Sequence, residues 1–387
     1  MFKKIILSSV LALALAGVQA QEWTGTWATA VEFTGPGDMP KSSLSNRSLR
    51  EIIHVSIGGE ELRMQLSNIH SKEPVEIKSV FIANPTDSCD IDVKTAKYLT
   101  FKGKKSVTIA PGEAVVCDVL KYHLKPLQRL TVTINYGTTT PVNASSHRGS
   151  RTTSYIINGE AKPKTRFVNA EKLDHWYNIS CIDVKTAEPT RCIAVIGNSI
   201  TDGRGSTTNK QNRWTDFFAE ALDGKVGVLN LGIGGNAVVR GGLSEPAMVR
   251  FDRDVLQQTG VTDVVIFEGV NDIGGKRPNH FEIVKSLTDA YSVLIKKAKD
   301  AGKKVYLGTI TPFYGNSYFT HFSEAARLTV NDWIRANKDI DGVIDFDKLT
   351  QDPSNPKALL PKYSDDGLHC SPAGYEAMGN YAGGMFK

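Results

Sequence analysis

The chain has 387 residues, a formal net charge of +5 and 41% hydrophobic residues. That is enough apolar material for a sizeable core, and the balance is too mildly basic to point to nucleic acid or a membrane surface as a partner. A length of this order is long for one hydrophobic core, so two domains are the default expectation.

Residues 1–20, MFKKIILSSVLALALAGVQA, place Lys3 and Lys4 before an apolar run from Ile5 to Gly17 and end on Val-Gln-Ala. This reads as a signal peptide cut after Ala20, which predicts an exported protein, periplasmic or secreted. Losing Lys3 and Lys4 takes the formal charge from +5 to +3, because the segment holds no acidic residue. The run is short for a membrane span, and no other stretch approaches the roughly 20 apolar residues that a spanning helix needs, so no stable membrane insertion is expected.

From Trp23 to about Glu188 the chain reads as short strands between turns, and residues 21–188 are expected to form an antiparallel β domain. IIHVSIGGEELRMQLSN alternates apolar and polar residues around Gly58-Gly59, the pattern of a hairpin. EIKSVFIA, KSVTIA, AVVCDVL, RLTVTINY and TSYIING are further strands, and TTTPVNASSHRGSRTT is the longest loop. The polar, Pro-containing stretch Val184–Thr190 marks the boundary with a second domain, residues 189–387.

Beyond it the pattern becomes strand-helix alternation. CIAVI (192–196), KVGVLNLGI (225–233), VTDVVIFE (261–268), KKVYLGTI (303–310) and GVIDF (342–346) are short apolar runs separated by helix-length stretches. One of these, HFEIVKSLTDAYSVLIKKAKDAG, puts Ile283, Leu287, Tyr291, Leu294 and Ile295 on one side and stops at Gly302. Apolar strands between amphipathic helices predict an α/β fold whose parallel sheet is covered on both faces, with ligands beyond the carboxyl ends of its strands.

The residues at those exits carry chemistry. After the first strand, Gly197-Asn198-Ser199 would present a hydroxyl at the sheet edge. After the second, Gly232-Ile233-Gly234-Gly235 lets backbone N–H groups face a ligand, as an oxyanion site requires. After the third, Asn271 follows Gly269-Val270 and can donate a side-chain N–H into the same cleft. Near the C-terminus, Asp366-Gly367-Leu368-His369 sets a carboxylate three residues before an imidazole, able to hold Nδ1–H while Nε2 faces the cleft. Taken singly, each has a plainer reading: a helix cap, a tight turn, a structural Asp-His pair. Together they supply a nucleophile, oxyanion donors and an oriented base on one edge of one sheet, and coincidence explains that poorly.

GNSIT, NLGIGGN, GVND and DGLH, in that order, resemble the four sequence blocks of the SGNH (GDSL-like) hydrolase family. RWTDFFAEAL, RFDRDVL, TPFYG, VNDWIR and VIDFD, with the N-terminal WTGTWATA and LTFKGKKSVTIAPG, extend the resemblance to a subgroup of exported acylhydrolases and carbohydrate esterases over nearly the whole chain after residue 20. The resemblance implies a three-layer α/β/α, flavodoxin-like hydrolase domain after the β domain. It implies Ser199 as nucleophile, His369 as base and Asp366 as the acid that orients it, with the Ser199 N–H, Gly235 and Asn271 as oxyanion donors. Asn198 departs from the family's usual Asp in this block, but both residues form turns. Asp365 is adjacent, and only the three-residue spacing to His369 selects Asp366.

Such a mechanism requires no metal and no cofactor, and neither HExxH nor GxxxxGK[ST] occurs in the chain. The expected substrate is an O-acetyl ester on a carbohydrate. Aryl or feruloyl esters, thioesters and lysophospholipids are rivals within the same chemistry, and a non-catalytic carbohydrate-binding protein is a rival outside it. The loop Thr311–Phe319 mixes aromatic and polar side chains at the catalytic edge, suiting a sugar ring or, equally, packing between helices. Of five cysteines, Cys370 beside His369 is expected to stay a free thiol, leaving Cys89 with Cys117 and Cys181 with Cys192 as candidate disulfides.

Overall fold

The computed structural model describes residues 22–242 and 244–387, so the expected leader lies outside the described residues. In the first half, Arg47–His54, Val75–Ala83, Arg129–Tyr136 and Ser154–Asn158 pair antiparallel as the long strands of one sheet. Glu22–Ala28, Ile179–Thr186 and Gly59–Ser67 pair antiparallel in a second. Alternate side chains of both sheets, among them Leu49, Ile53, Leu62, Met64, Leu66, Val132 and Ile134, share one core. Each is fully buried, a gain of about 1.5–3 kcal/mol for side chains of this size.

Three expectations for this half are corrected. Arg47–His54 and Gly59–Ser67 do not form a hairpin, because they belong to different sheets and the chain between them crosses the sandwich. Gly58 is needed there for close approach, since a β-carbon would collide with the Leu124 carbonyl and Pro126. Alternation is satisfied equally by two strands facing each other across a core, which is why pattern alone misassigned the pairing.

The loop TTTPVNASSHRGSRTT contains a strand, Ser145–His147, paired with Glu32–Phe33 and Trp176–Tyr177. All five cysteines are free thiols. Cys117 belongs to the main sandwich core, whereas Cys89 packs against a separate cluster around Phe167. Cys192 is sealed in the core of the second half, its thiol against the Gly25 carbonyl at 3.5 Å, and Cys181 packs against the outside of that core. Cys370 is free as expected, its Sγ 3.7 Å from the Met378 sulfur.

The second half is a five-stranded parallel sheet in the order Gly227–Gly232, Cys192–Gly197, Asp263–Phe267, Lys304–Gly308, Gly342–Ile344. Counted along the chain this is 2-1-3-4-5, the flavodoxin-like order, whose direction reverses beside the first strand. Helices Trp214–Ala221 and Pro372–Phe386 pack together, as do His280–Asp300 and His321–Ala336, and the layers form an α/β/α domain. The helix His280–Asp300 buries Leu287, Tyr291, Leu294 and Ile295, starts on an Asn279 side-chain cap to Glu282 N–H at 3.2 Å, and carries Lys297 and Lys299 in its last turn. Those lysines complement the helix dipole. Among the described residues no helix is long and apolar enough to cross a membrane.

The two halves are built into each other. Strand Glu22–Ala28 lies against Gly227–Gly232, Val228 N–H donates to Ser56 Oγ at 3.0 Å, and His54 Nδ1 meets Asp216 Oδ1 at 3.0 Å.

Candidate active site

The first strand ends at Asn198, whose side-chain oxygen accepts the Ile200 N–H at 3.0 Å and caps the single turn Ser199–Asp202. The capping role and the presented hydroxyl are therefore divided between neighbours, Asn198 taking the first and Ser199 the second. Ser199 Oγ lies 2.9 Å from His369 Nε2.

His369 stands on the turn before the last helix. Asp366 Oδ1 accepts the backbone N–H of Leu368 at 2.9 Å and of His369 at 2.8 Å, while Oδ2 meets His369 Nδ1 at 2.7 Å. The partner is thus Asp366, not Asp365. A carboxylate at Nδ1 holds the proton there and leaves the Nε2 lone pair toward Ser199. Burial pushes the His369 imidazole below its ordinary value; Asp366 opposes this, and the like charges of Arg204 and Arg151 add to it. The shift favours the neutral ring, the form able to accept a proton. Burial raises the Asp366 carboxyl, but the bonds from His369 and Leu368 outweigh it and hold the group below the usual carboxylate range.

On the other side of Ser199, the N–H groups of Ser199 and Gly235 donate no hydrogen bond among the described residues. Asn271 is fixed at both ends of its amide: Nδ2 donates to the Asn236 carbonyl at 2.7 Å, and Oδ1 accepts from Tyr318 OH at 2.8 Å. One amide N–H remains uncommitted, which is what an oxyanion donor needs. Arg250, with no exposed surface, donates to the carbonyls of Gly197 and Leu231 at 3.1 and 2.8 Å and to Asn236 Oδ1 at 2.9 Å. It ties the ends of two strands to the glycine turn. Burial pushes the neighbouring Glu268 carboxyl well up, with Arg250 only partly offsetting it.

The structure therefore brings Ser199, Gly235, Asn271, Asp366 and His369 to one sheet edge. Sequence reasoning missed Tyr318, Arg250 and the Asn236 carbonyl. Tyr318 was visible only as one ring of the loop Thr311–Phe319, in which Phe313 turns out to be core and Tyr314 is exposed. It also missed residues of the β half: His147 Nε2 and Arg151 Nη2 reach Asp202 at 2.8 and 2.5 Å. The only signal for these was the cationic run HRGSR inside a supposed loop.

A hydrogen-bonded serine, histidine and aspartate thus stand at the carboxyl edge of a flavodoxin-like parallel sheet. Residues 195–377, a little under half of the chain, match the GDSL-like Lipase/Acylhydrolase family. A GDSL-like lipase from Bacteroides thetaiotaomicron is 21% identical over 49% of this chain and 84% of its own, with a TM-score of 0.37. A carbohydrate acetylesterase from Sinorhizobium meliloti is 15% identical over 51% of this chain and 98% of its own, with a TM-score of 0.37. The aryl esterase of M. smegmatis is 15% identical over 51% and 98%, with a TM-score of 0.41. No curated protein sequence matches the chain.

Proposed function

We propose that this chain is a serine esterase that removes short acyl groups, O-acetyl above all, from carbohydrates. The observation that carries the esterase reading is the unbroken line from Asp366 through His369 to Ser199 at 2.7 and 2.9 Å, facing an amide held with one N–H to spare. In this reading His369 takes the Ser199 proton as Oγ attacks the ester carbonyl, then returns it to the departing alcohol. Ser199 N–H, Gly235 N–H and the Asn271 amide hold the oxyanion, and water releases the acid in a second cycle.

Support for a short acyl group comes from the sequence, in which no long apolar segment stands between the four blocks to form a groove for an alkyl chain. Octanoate has six more methylenes than acetate to shelter from water, worth about 5 kcal/mol if fully buried. The exposed ring of Tyr314 beside Asn316 at the same edge offers a face and an amide to a sugar.

Two measurements test the proposal. Ser199→Ala should fold like the wild type and lose p-nitrophenyl acetate hydrolysis by about 10⁴-fold or more, and an organophosphonate should label the wild type at Ser199. Retained kcat in the Ala variant overturns the nucleophile. A chain-length series of p-nitrophenyl esters, run beside acetylated xylan and pectin fragments, should favour acetate and release it from glycan. Preference for octanoate with no acetate released from any glycan overturns the carbohydrate reading and leaves the lipid or aryl ester.

A further inference from the structure

Asp202 closes the one-turn helix that Ser199 begins, and no part of its side chain is exposed. A carboxylate in that position needs partners, and two of them come from the other half of the molecule. His147 Nε2 lies 2.8 Å from Oδ1, and Arg151 Nη2 lies 2.5 Å from Oδ2. His147 is itself held by Nδ1 donating to the Ala30 carbonyl at 2.9 Å. Between them, Gly149 leaves room for the carboxylate, which a β-carbon there would overlap. The oxyanion turn meets the same junction: Gly232 packs on the Thr201 and Asp202 backbone, and Gly234 approaches the Asp202 carboxylate.

Burial would raise the Asp202 carboxyl, but His147 and Arg151 overcome this and hold it below the usual range. It is an anion clamped by the β half. Arg151 adopts φ 50°, a left-handed conformation uncommon for a residue with a side chain. The catalytic half enforces it, because Asn209 N–H donates to the Arg151 carbonyl at 2.9 Å while Asn209 Oδ1 accepts from Thr153 N–H at 2.8 Å. Backbone held this way next to a reactive group is a sign of function.

We infer that the β half is a working part of the active site, with Arg151 and His147 acting as positioning residues that hold Ser199 and the oxyanion turn in register through Asp202. The inference rests on the esterase reading above. The β half is then neither a detachable glycan-binding module nor a passive wall. Arg151 has a second effect, because its cation stands close enough to His369 to favour the neutral ring.

The test uses full-length Arg151→Met and Arg151→Lys, with kcat, KM, the pH profile of kcat/KM and the thermal midpoint measured on p-nitrophenyl acetate. Arg151→Met should lower kcat about 10²-fold, the scale of an ångström misplacement, with KM changed less than about threefold on the same reasoning. Its acid limb should move to higher pH, since a cation has left the neighbourhood of His369. Arg151→Lys keeps the charge and should return the limb to the wild-type position, with part of kcat recovered. The limb does not depend on the fraction folded, so it decides the matter even if Arg151→Met is less stable. Wild-type kcat and an unmoved limb in Arg151→Met would overturn the inference. So would loss of activity only in proportion to unfolding, with the limb in place. Failure of the esterase reading would show elsewhere, as wild-type protein without ester hydrolysis or as an active Ser199→Ala.

Discussion

Two aspartates flank the line from Ser199 to His369, and they are held in opposite ways. Asp366 is nearly half exposed, and the bonds its carboxylate makes to His369 and Leu368 all lie within three residues of it. Asp202 is sealed from solvent, and its partners His147 and Arg151 stand 55 and 51 residues away in another sheet system. The turn around Asp366 forms with little chain to close, so the His369 ring can be oriented by local geometry. The junction at Asp202 exists only once both halves have folded and docked. The His369 side of the site is therefore a local motif, and the Ser199 side is a tertiary one.

The strongest way to break this comparison is at the local end. Asp366→Asn should lower kcat by about 10⁴-fold, the cost of losing the carboxylate that fixes the imidazole tautomer, while Asp365→Asn should stay near wild type in the same p-nitrophenyl acetate assay. The reverse order would move the acid to Asp365 and dissolve the three-residue spacing on which the local reading stands.

Next comes the oxyanion side. Asn271→Ala should cost about 10²–10³-fold in kcat. Tyr318→Phe, which only frees the Asn271 Oδ1 end, should cost about 2–10-fold with KM little changed, as expected for one hydrogen bond. Equal losses in steady-state kinetics would mean that Tyr318 does more than orient the amide.

Acidity provides two smaller effects that sharpen the contrast. In the proposed reaction His369 must be neutral to act, and its folded-state value lies below the ordinary imidazole value of about 6.5. Wild-type kcat/KM should therefore stay level through neutral pH and fall only on acidification below that value; a fall already complete at pH 7 would contradict it.

The halves respond to acid through Asp216. Burial would raise its carboxyl, but Arg213 and His54 hold it well below the usual range. A depressed folded-state value contributes stability that is present above the unfolded value near 3.9 and lost as pH falls through the folded one. Asp216→Asn should lower the thermal midpoint at pH 7, by an amount corresponding to about 1.5–3 kcal/mol for hydrogen bonds to a charged group, and flatten the drop below about pH 4. An unchanged midpoint by calorimetry would remove Asp216 from the interface.

What could be read in the sequence follows the same division. The parallel strands, the long helix over 280–300 and the Asp366-to-His369 spacing were legible because each depends on residues close in the chain: an apolar run, a 3.6-residue period, a three-residue turn. The supposed hairpin at Gly58-Gly59 failed because alternation states which face of a strand is buried and not which strand it joins. The disulfides failed for the same reason, since co-membership of a half does not place Cys89 and Cys117 in one cluster.

By itself, then, the sequence determined the order of elements, the switch from antiparallel to parallel grammar, and which residues leave the sheet at its carboxyl edge. Tertiary structure alone decided that Tyr318 holds the Asn271 amide, that Arg250 joins the strand ends, and that a run of the β half, His147 to Arg151, grips the carboxylate one turn beyond Ser199. The physical reason is range. Periodicity and turn chemistry act over a few residues and leave a pattern in the chain, whereas a buried charge takes its partner from whatever surface the packing brings against it.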